Sequence, residues 1–344
     1  MTRATGWALL EAGGRLQPWD VPRRDPRPDD LVVRVTHCGV CHTDLHAVEG
    51  AGSGDLPRVP GHEFTGVVEA VGAEVTRFAV GDRVAVGNIV DSCGACASCL
   101  AQEESYCLEY PTLTYGGRDR VDGTRTHGAY ASTYVVREAF AYALPDGLDA
   151  AAAAPLMCAG VTVWQPLRRY GVGPGTRLGV VGLGGLGHLA VKLGKALGAS
   201  VAVFTTSPAK AADALALGAD EVVVSTDPDD MARHARAFDL VLDTASGKHD
   251  LTPYAEVLDM DGTLCVLGIP DTYEVGALSL LLGRRRLTAS GSAGSRDTAD
   301  LLAFCAEHGV AADVEVLPAA RVQEAFDRLA AGDVRWRFVL DLQA

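Results

Sequence analysis

The chain has 344 residues, 48% hydrophobic and 22% charged, which is too long for one ordinary domain and apolar enough to bury two cores. A formal net charge of −14 argues against nucleic acid or an anionic membrane as partner, because the basic run Arg284-Arg285-Arg286 is too short to offset that field. Nothing from Met1 to Leu16 reads as a secretory signal, and the longest apolar segment, Ala150 to Trp164, contains Pro155 and is shorter than a membrane span; the expectation is a cytoplasmic protein.

In chain order, Leu31 to Val35, Phe64 to Val71 and Arg83 to Val86 are short strand-like pieces broken by Gly, Pro and Asp, which predicts a β-rich module. A cysteine lobe, Asp91 to Cys107, interrupts it. After Ala150 the pattern changes: strand Arg177 to Val181, helix Gly185 to Leu197, strand Ser200 to Thr205, helix Pro208 to Leu217, then strands Glu221 to Val224 and Leu240 to Asp243. That alternation predicts an α/β fold with a parallel, doubly wound sheet. It ends around Leu287 to Ser292, and Val334 to Leu342 reads as a strand that needs a sheet to join. The expected organisation is therefore residues 1–150 as the β-rich domain with its lobe at 91–107, residues 151–290 as the doubly wound domain, and residues 291–344 returning to the first.

Cys93, Cys96, Cys99 and Cys107 are spaced Cys-x2-Cys-x2-Cys-x7-Cys, which lets one short loop wrap thiolates around a closed, structural zinc. A redox loop is the plainer alternative, but in a reducing compartment clustered cysteines favour metal over disulfides. Cys41, the His62-Glu63 pair and Cys158 are spread over more than a hundred residues and offer the ligand types of an open zinc site. Singly, each has an ordinary explanation as a buried thiol or a satisfied histidine. His37, Cys38, Cys265 and Cys305 read as packing residues.

The run Gly182-Leu183-Gly184-Gly185-Leu186-Gly187 directly follows the apolar Leu178 to Val181. Strand, glycines and helix stand in the order a dinucleotide pyrophosphate requires: a tight turn, close backbone approach, and a helix N-terminus facing phosphate. At the end of the next strand, where an NAD site places a carboxylate, the chain has Thr205-Thr206-Ser207-Pro208-Ala209-Lys210. Ser207 and Pro208 suit an N-cap and first helical residue. Lys210 in the first turn opposes the helix dipole unless an anion compensates it, which points to the 2′-phosphate of NADP(H).

Gly39-Val40-Cys41-His42-Thr43-Asp44, Gly61-His62-Glu63 and Pro155-Leu156-Met157-Cys158-Ala159-Gly160 resemble, in order, the zinc-site segments of the medium-chain dehydrogenase/reductase superfamily. With Cys158 to Val163 and the closing Asp333 to Val339, the chain resembles the cinnamyl alcohol dehydrogenase group over essentially its whole length. The resemblance implies a GroES-like catalytic domain, a Rossmann domain, an active site in the cleft between them, two Zn²⁺ per subunit, NADP(H) and a homodimer. The implied substrates are small primary alcohols or aldehydes, often aromatic or allylic. It also implies residue roles. Cys41, His62 and Cys158 would hold the catalytic zinc, with Glu63 an alternative ligand or a carboxylate behind the ligands, and Asp44 would orient His62. Thr43 and His46 would relay the proton. His42, Thr162, Gly182, Gly184, Gly185, Leu186, Gly187, Thr205, Thr206, Ser207, Lys210 and Ser290 would contact the cofactor. Leu56, Thr112, Leu113 and Ile269 are candidates to line the substrate pocket, with Thr112 near the position where plant members carry a bulky aromatic. Two rival readings remain on this scaffold: a non-catalytic NADPH-binding or zinc-sensing protein, and a zinc-free enone reductase.

Overall fold

Leu31, Val33, Val35, Cys38 and Val40 are all buried along one long strand, Asp30–Val40, so that strand needs neighbours along its length. In this computed structural model, which describes residues 2–344 with side chains from Ala4 on, three strands supply them. Phe64–Val71, Thr133–Arg137 and Arg337–Asp341 all pair with it antiparallel. The seven-stranded sheet runs Val314–Pro318, Arg337–Asp341, Asp30–Val40, Phe64–Val71, Arg83–Val86, Ala141–Ala143, with Thr133–Arg137 branching from Asp30–Val40. Its core buries Phe64, Tyr130, Phe326 and Phe338. Thr2–Leu9 and Leu16–Arg23 form a separate antiparallel ribbon, which the pattern does not announce because Gly6, Pro18 and Pro22 dilute its alternation.

Contacts divide the chain into two compact units, one of residues up to Cys158 together with Ala293–Ala344, the other Ala159–Ser292. The second unit is a parallel sheet of six strands: β1 Arg177–Val181, β2 Ser200–Thr205, β3 Glu221–Val224, β4 Phe238–Asp243, β5 Leu258–Val266 and β6 Arg286–Ala289. The spatial order is 3-2-1-4-5-6, a doubly wound α/β arrangement. Phe204, Phe238, Val241, Leu251 and Leu264 lie in its core, where consecutive apolar residues fit a strand covered on both faces. The helix predicted over Pro208 to Leu217 is a 3-10 turn, Pro208–Lys210, followed by an α-helix at Ala211–Ala216. Among the described residues no single helix is long and apolar enough to cross a membrane.

Candidate metal centres and dinucleotide loop

Cys41 ends the long strand and caps the helix His42–Glu49: the Thr43 N–H donates to its Sγ at 3.5 Å, while the Cys41 N–H donates to Asp44 Oδ2 at 3.1 Å. One turn therefore presents the thiol and buries the carboxylate. Asp44 then organises a second segment. Its Oδ1 accepts the Gly61 N–H at 2.9 Å and lies 3.0 Å from His62 Nδ1, and its Oδ2 accepts from the Tyr130 hydroxyl at 3.3 Å. Gly61 has φ +98°, and a Cβ there would lie 2.6 Å from the Tyr130 ring, so only glycine makes this turn.

With Nδ1 committed to Asp44, His62 Nε2 is left facing Cys158 Sγ at 3.2 Å, and Cys158 Sγ lies 3.9 Å from Cys41 Sγ. The three ligand atoms lie within 4.8 Å of one another. Contact with Cys158 holds Cys41 well below the ordinary thiol range, and contact with Cys41 pushes Cys158 well above it. For His62, burial disfavours the charged ring but Asp44 overrides it and raises its pKa. A thiol held low, a second thiol beside it and an imidazole oriented by a carboxylate fit a divalent zinc with one position open.

Glu63 stands apart from the three. Its Oε1 accepts from Arg337 Nη2 and its Oε2 has no hydrogen-bond partner; both side chains are buried. Burial pushes the Glu63 carboxyl up to about 7 even with Arg337 beside it. Arg337 is raised although burial opposes it, because Glu63, Cys41 and Cys158 surround it. Thr43, His42 and His46 are exposed; Thr43 Oγ1 lies 3.6 Å from Cys41 Sγ, and the His46 ring is 6.3 Å from His42. Tyr115 joins the group: its hydroxyl donates to the Thr43 carbonyl at 3.3 Å and its ring meets His62 edge-on at 5.8 Å. Arg337, Tyr115 and Tyr130 have no spacing signature, and the one hint is a buried arginine opening a strand whose next three residues are apolar. Of the pocket candidates, Leu56 and Leu113 pack partly buried on the first unit's core, Thr112 is buried and donates to the Arg118 carbonyl at 3.2 Å, and Ile269 is 87% exposed.

In the lobe, Cys93 and Cys96 lie 3.7 and 3.5 Å from Cys99, and backbone N–H groups donate to sulfur from Cys96 to Cys93 at 3.3 Å and from Cys93 to Cys107 at 3.5 Å. The four sulfurs share the same 4.8 Å limit, a closed all-thiol set that fits a structural zinc. All nine cysteines are free of disulfides.

In the second unit Gly182 turns the chain after β1 at φ +86°. A Cβ on Gly187 would sit 2.2 Å from the Gly182 carbonyl, whereas one on Gly184 would meet nothing within 4 Å. Between them Gly185 and Leu186 lead into the helix Gly187–Ala196. The loop is thus closed on its own side and open outward, as a cradle for phosphate requires. Lys210 crosses to it, Nζ donating to the Leu183 carbonyl at 3.3 Å. Thr205 is buried and its Oγ1 accepts the Ser207 N–H at 3.1 Å, while Thr206 is exposed; no carboxylate stands at this strand end. Thr162 and Ser290 are buried with internal partners, the Gly291 carbonyl at 3.3 Å and Gln165 Oε1 at 2.9 Å.

Residues 27–146 match the family model of the alcohol dehydrogenase GroES-like domain, and residues 185–307 that of the zinc-binding dehydrogenase. The chain is 43% identical to an NADP-dependent alcohol dehydrogenase C of Mycobacterium bovis over the full length of both. It is 44% identical to the aldehyde reductase YahK of Escherichia coli, covering 95% of this chain and 94% of that one. Among solved structures it is similar to a cinnamyl alcohol dehydrogenase of Sorghum bicolor, with a TM-score of 0.95, 42% identity and coverage of 100% and 98%. It is also similar to the Helicobacter pylori enzyme of that name complexed with NADP(H), with a TM-score of 0.92, 29% identity and 99% of each chain covered.

Proposed function

The chain belongs to the zinc-dependent medium-chain dehydrogenase family, and from that premise we propose that it is an NADP(H)-dependent alcohol dehydrogenase that reduces small aldehydes, aromatic and allylic ones among them. The observation that carries this is the Cys41, His62 and Cys158 triad, oriented by Asp44, in a chain that also holds an outward-open glycine loop.

Zinc held by Cys41, His62 and Cys158 supplies a Lewis acid for the substrate oxygen, and a nicotinamide held at the glycine loop supplies the hydride carrier. The chain's own residues do the rest. Asp44 keeps the proton on His62 Nδ1, which leaves Nε2 a donor of electrons. Thr43 Oγ1 exchanges the substrate hydroxyl proton, and the exposed His46 ring, at the far end of the relay, trades protons with water. Glu63, fixed by Arg337, sets the charge behind the ligands. Cys93, Cys96, Cys99 and Cys107 hold a second zinc that braces the lobe and takes no part in the chemistry.

Lys210, with Thr206 and Ser207, receives the 2′-phosphate, and the missing carboxylate removes the feature that favours NAD. His42, Thr162, Thr205 and Ser290 complete the cofactor contacts. The enzyme is a cytoplasmic homodimer joined through the second unit; the exposed Leu278, Leu281 and Leu282, just ahead of edge strand β6 in sequence, support that pairing. Aromatic and allylic aldehydes follow from likeness to the two cinnamyl alcohol dehydrogenases.

Incubation with NADPH and a panel of aromatic, allylic and aliphatic aldehydes tests the reading. Consumption of NADPH with the matching alcohol as product is expected. Reduction of carbon-carbon double bonds alone would make the protein an enone reductase, and no turnover of any aldehyde would leave it a binding protein.

A further inference from the structure

Asp243 closes β4 at the point where the sheet order reverses, since β1 has β2 on one side and β4 on the other. In doubly wound sheets the ligand crevice opens there, bordered by the loops that leave those two strands. One is the glycine loop; the other is residues 244–249, and it is tied down along its length. At its start the Thr244 hydroxyl donates to the Val181 carbonyl at 2.8 Å and lies 3.3 Å from the Gly182 carbonyl, directly behind the glycine turn. The Ala245 N–H donates to Asp243 Oδ1 at 3.1 Å, and a Cβ on Gly268 would lie 2.0 Å from the Ala245 carbonyl, so the turn after β5 presses against the same loop.

At its end His249 folds back. Nε2 lies within ion-pair range of Asp243 Oδ2 at 3.2 Å, off the line of a hydrogen bond, while Nδ1 lies 2.8 Å from the Gly247 carbonyl and the ring stands edge-on to Tyr254 at 5.6 Å. Outside this clip, Lys248 pairs with Glu274 at 2.8 Å and the Leu251 N–H donates to the Glu274 carbonyl at 2.8 Å. The Asp243 side chain is 1% exposed. A carboxyl taken out of water needs a polar partner, and burial pushes this one up while His249 pulls it down.

We propose that His249 is a positioning residue for the dinucleotide: by clipping loop 244–249 to Asp243 it keeps Thr244 behind the glycine turn and so sets how tightly NADP(H) binds. The inference rests on the reading that the cofactor binds at the glycine loop. Its effect passes through backbone that borders the crevice.

The test is equilibrium binding of NADPH, followed by its fluorescence, to the intact protein and to His249→Ala, His249→Gln, Asp243→Asn and the double variant His249→Ala/Asp243→Asn. Loss of a partly buried, charge-assisted contact raises the Kd by about tenfold for His249→Ala. His249→Gln keeps an N–H donor within reach of Asp243 and recovers most of the loss. The double variant binds no worse than the worse single one, because both remove the same clip. In turnover the Michaelis constant for NADPH follows the Kd, and kcat at saturating NADPH moves much less. A lower Tm with an unchanged Kd, or single losses that add in the double variant, would overturn the inference and leave the cofactor reading standing. Failure of the unaltered protein to bind NADPH would overturn both.

Discussion

Arg337 donates to Glu63 across 274 residues of sequence, tying the last strand of the chain to the neighbour of His62. The side chains are 6% and 0% exposed, so neither charge has water to fall back on. Removing one partner strands the other, at about 3–5 kcal/mol, whereas removing both leaves no buried charge. Arg337→Met and Glu63→Gln are each expected to destabilise the protein by that amount in urea unfolding, and the double variant to lose far less than their sum. Additive losses would show that the two groups do not act as a pair.

This pair marks the boundary of what the residues announce on their own. Arg177–Val181 and Ser200–Thr205 are legible because each is, after its polar first residue, a run of apolar, small or β-branched residues that burial on both faces preserves, and Glu221–Val224 because three valines follow one glutamate at the sheet edge. The triad is legible because thiols and an imidazole stand in glycine-rich segments whose order is informative. Leu258–Val266 is hidden by Asp259, Asp261 and Gly262, which belong to turns by composition yet lie in the strand. Glu63 carries no sign that it pairs away from the three ligands, because its partner arrives by a sheet pairing that no local period records. Tyr115 on His62 and His249 on Asp243 are placed by irregular loops, which leave no period to read either. Ile269 is read as apolar and so as a lining residue, but the turn after β5 leaves it facing solvent.

The two thiol-containing centres respond differently to the loss of one sulfur. A closed four-thiol site contributes folding free energy directly, because the unfolded chain has no such site. Cys99→Ser is expected to lower bound zinc from two to one per chain and to drop Tm by about 5 °C or more. Cys158→Ser is expected to remove the other zinc and abolish turnover with Tm nearly kept, since His62 remains clamped by Asp44. Metal analysis and circular dichroism check both. A Cys158→Ser variant that retains full activity would remove the catalytic assignment.

His127 gives the fold an acid-side liability. Its ring packs edge-on against Trp19 at 5.5 Å, and burial, with Arg23 and Arg125 nearby, holds its pKa down to about 4. Arg23 is buried too, its guanidinium on the carbonyls of Thr133, His127 and Gly128. Between the ordinary histidine value of about 6.5 and 4, the unfolded chain takes up a proton that the folded one refuses, so stability is present above 6.5 and drains away as pH falls towards 4. Because the ring is only partly shielded, the loss is about 2 kcal/mol rather than the full linkage value. Urea unfolding of the protein and of His127→Gln at about pH 7 and about pH 4.5 isolates it. The gap in stability between them should move by that amount against the unaltered protein, and a gap that does not change with pH excludes the effect.

Lys210 is the residue on which coenzyme choice turns. It follows the strand end that lacks a carboxylate, and its ammonium reaches the glycine loop at the Leu183 carbonyl. A neutral carbonyl alone gives a cation little reason to stay there; a phosphate on the adenosine ribose does, through a charge-assisted contact. Removing such a contact weakens binding by roughly tenfold to a hundredfold. Lys210→Ala should raise the Michaelis constant for NADPH by that factor and change that for NADH by less than about twofold, since NADH has no charge at that position. Lys210 is exposed, so the NADPH effect should shrink as salt rises from about 0.05 to about 0.5 M. Steady-state kinetics with both coenzymes decide the matter: equal changes for NADPH and NADH would mean that Lys210 braces the loop and does not read the 2′-phosphate.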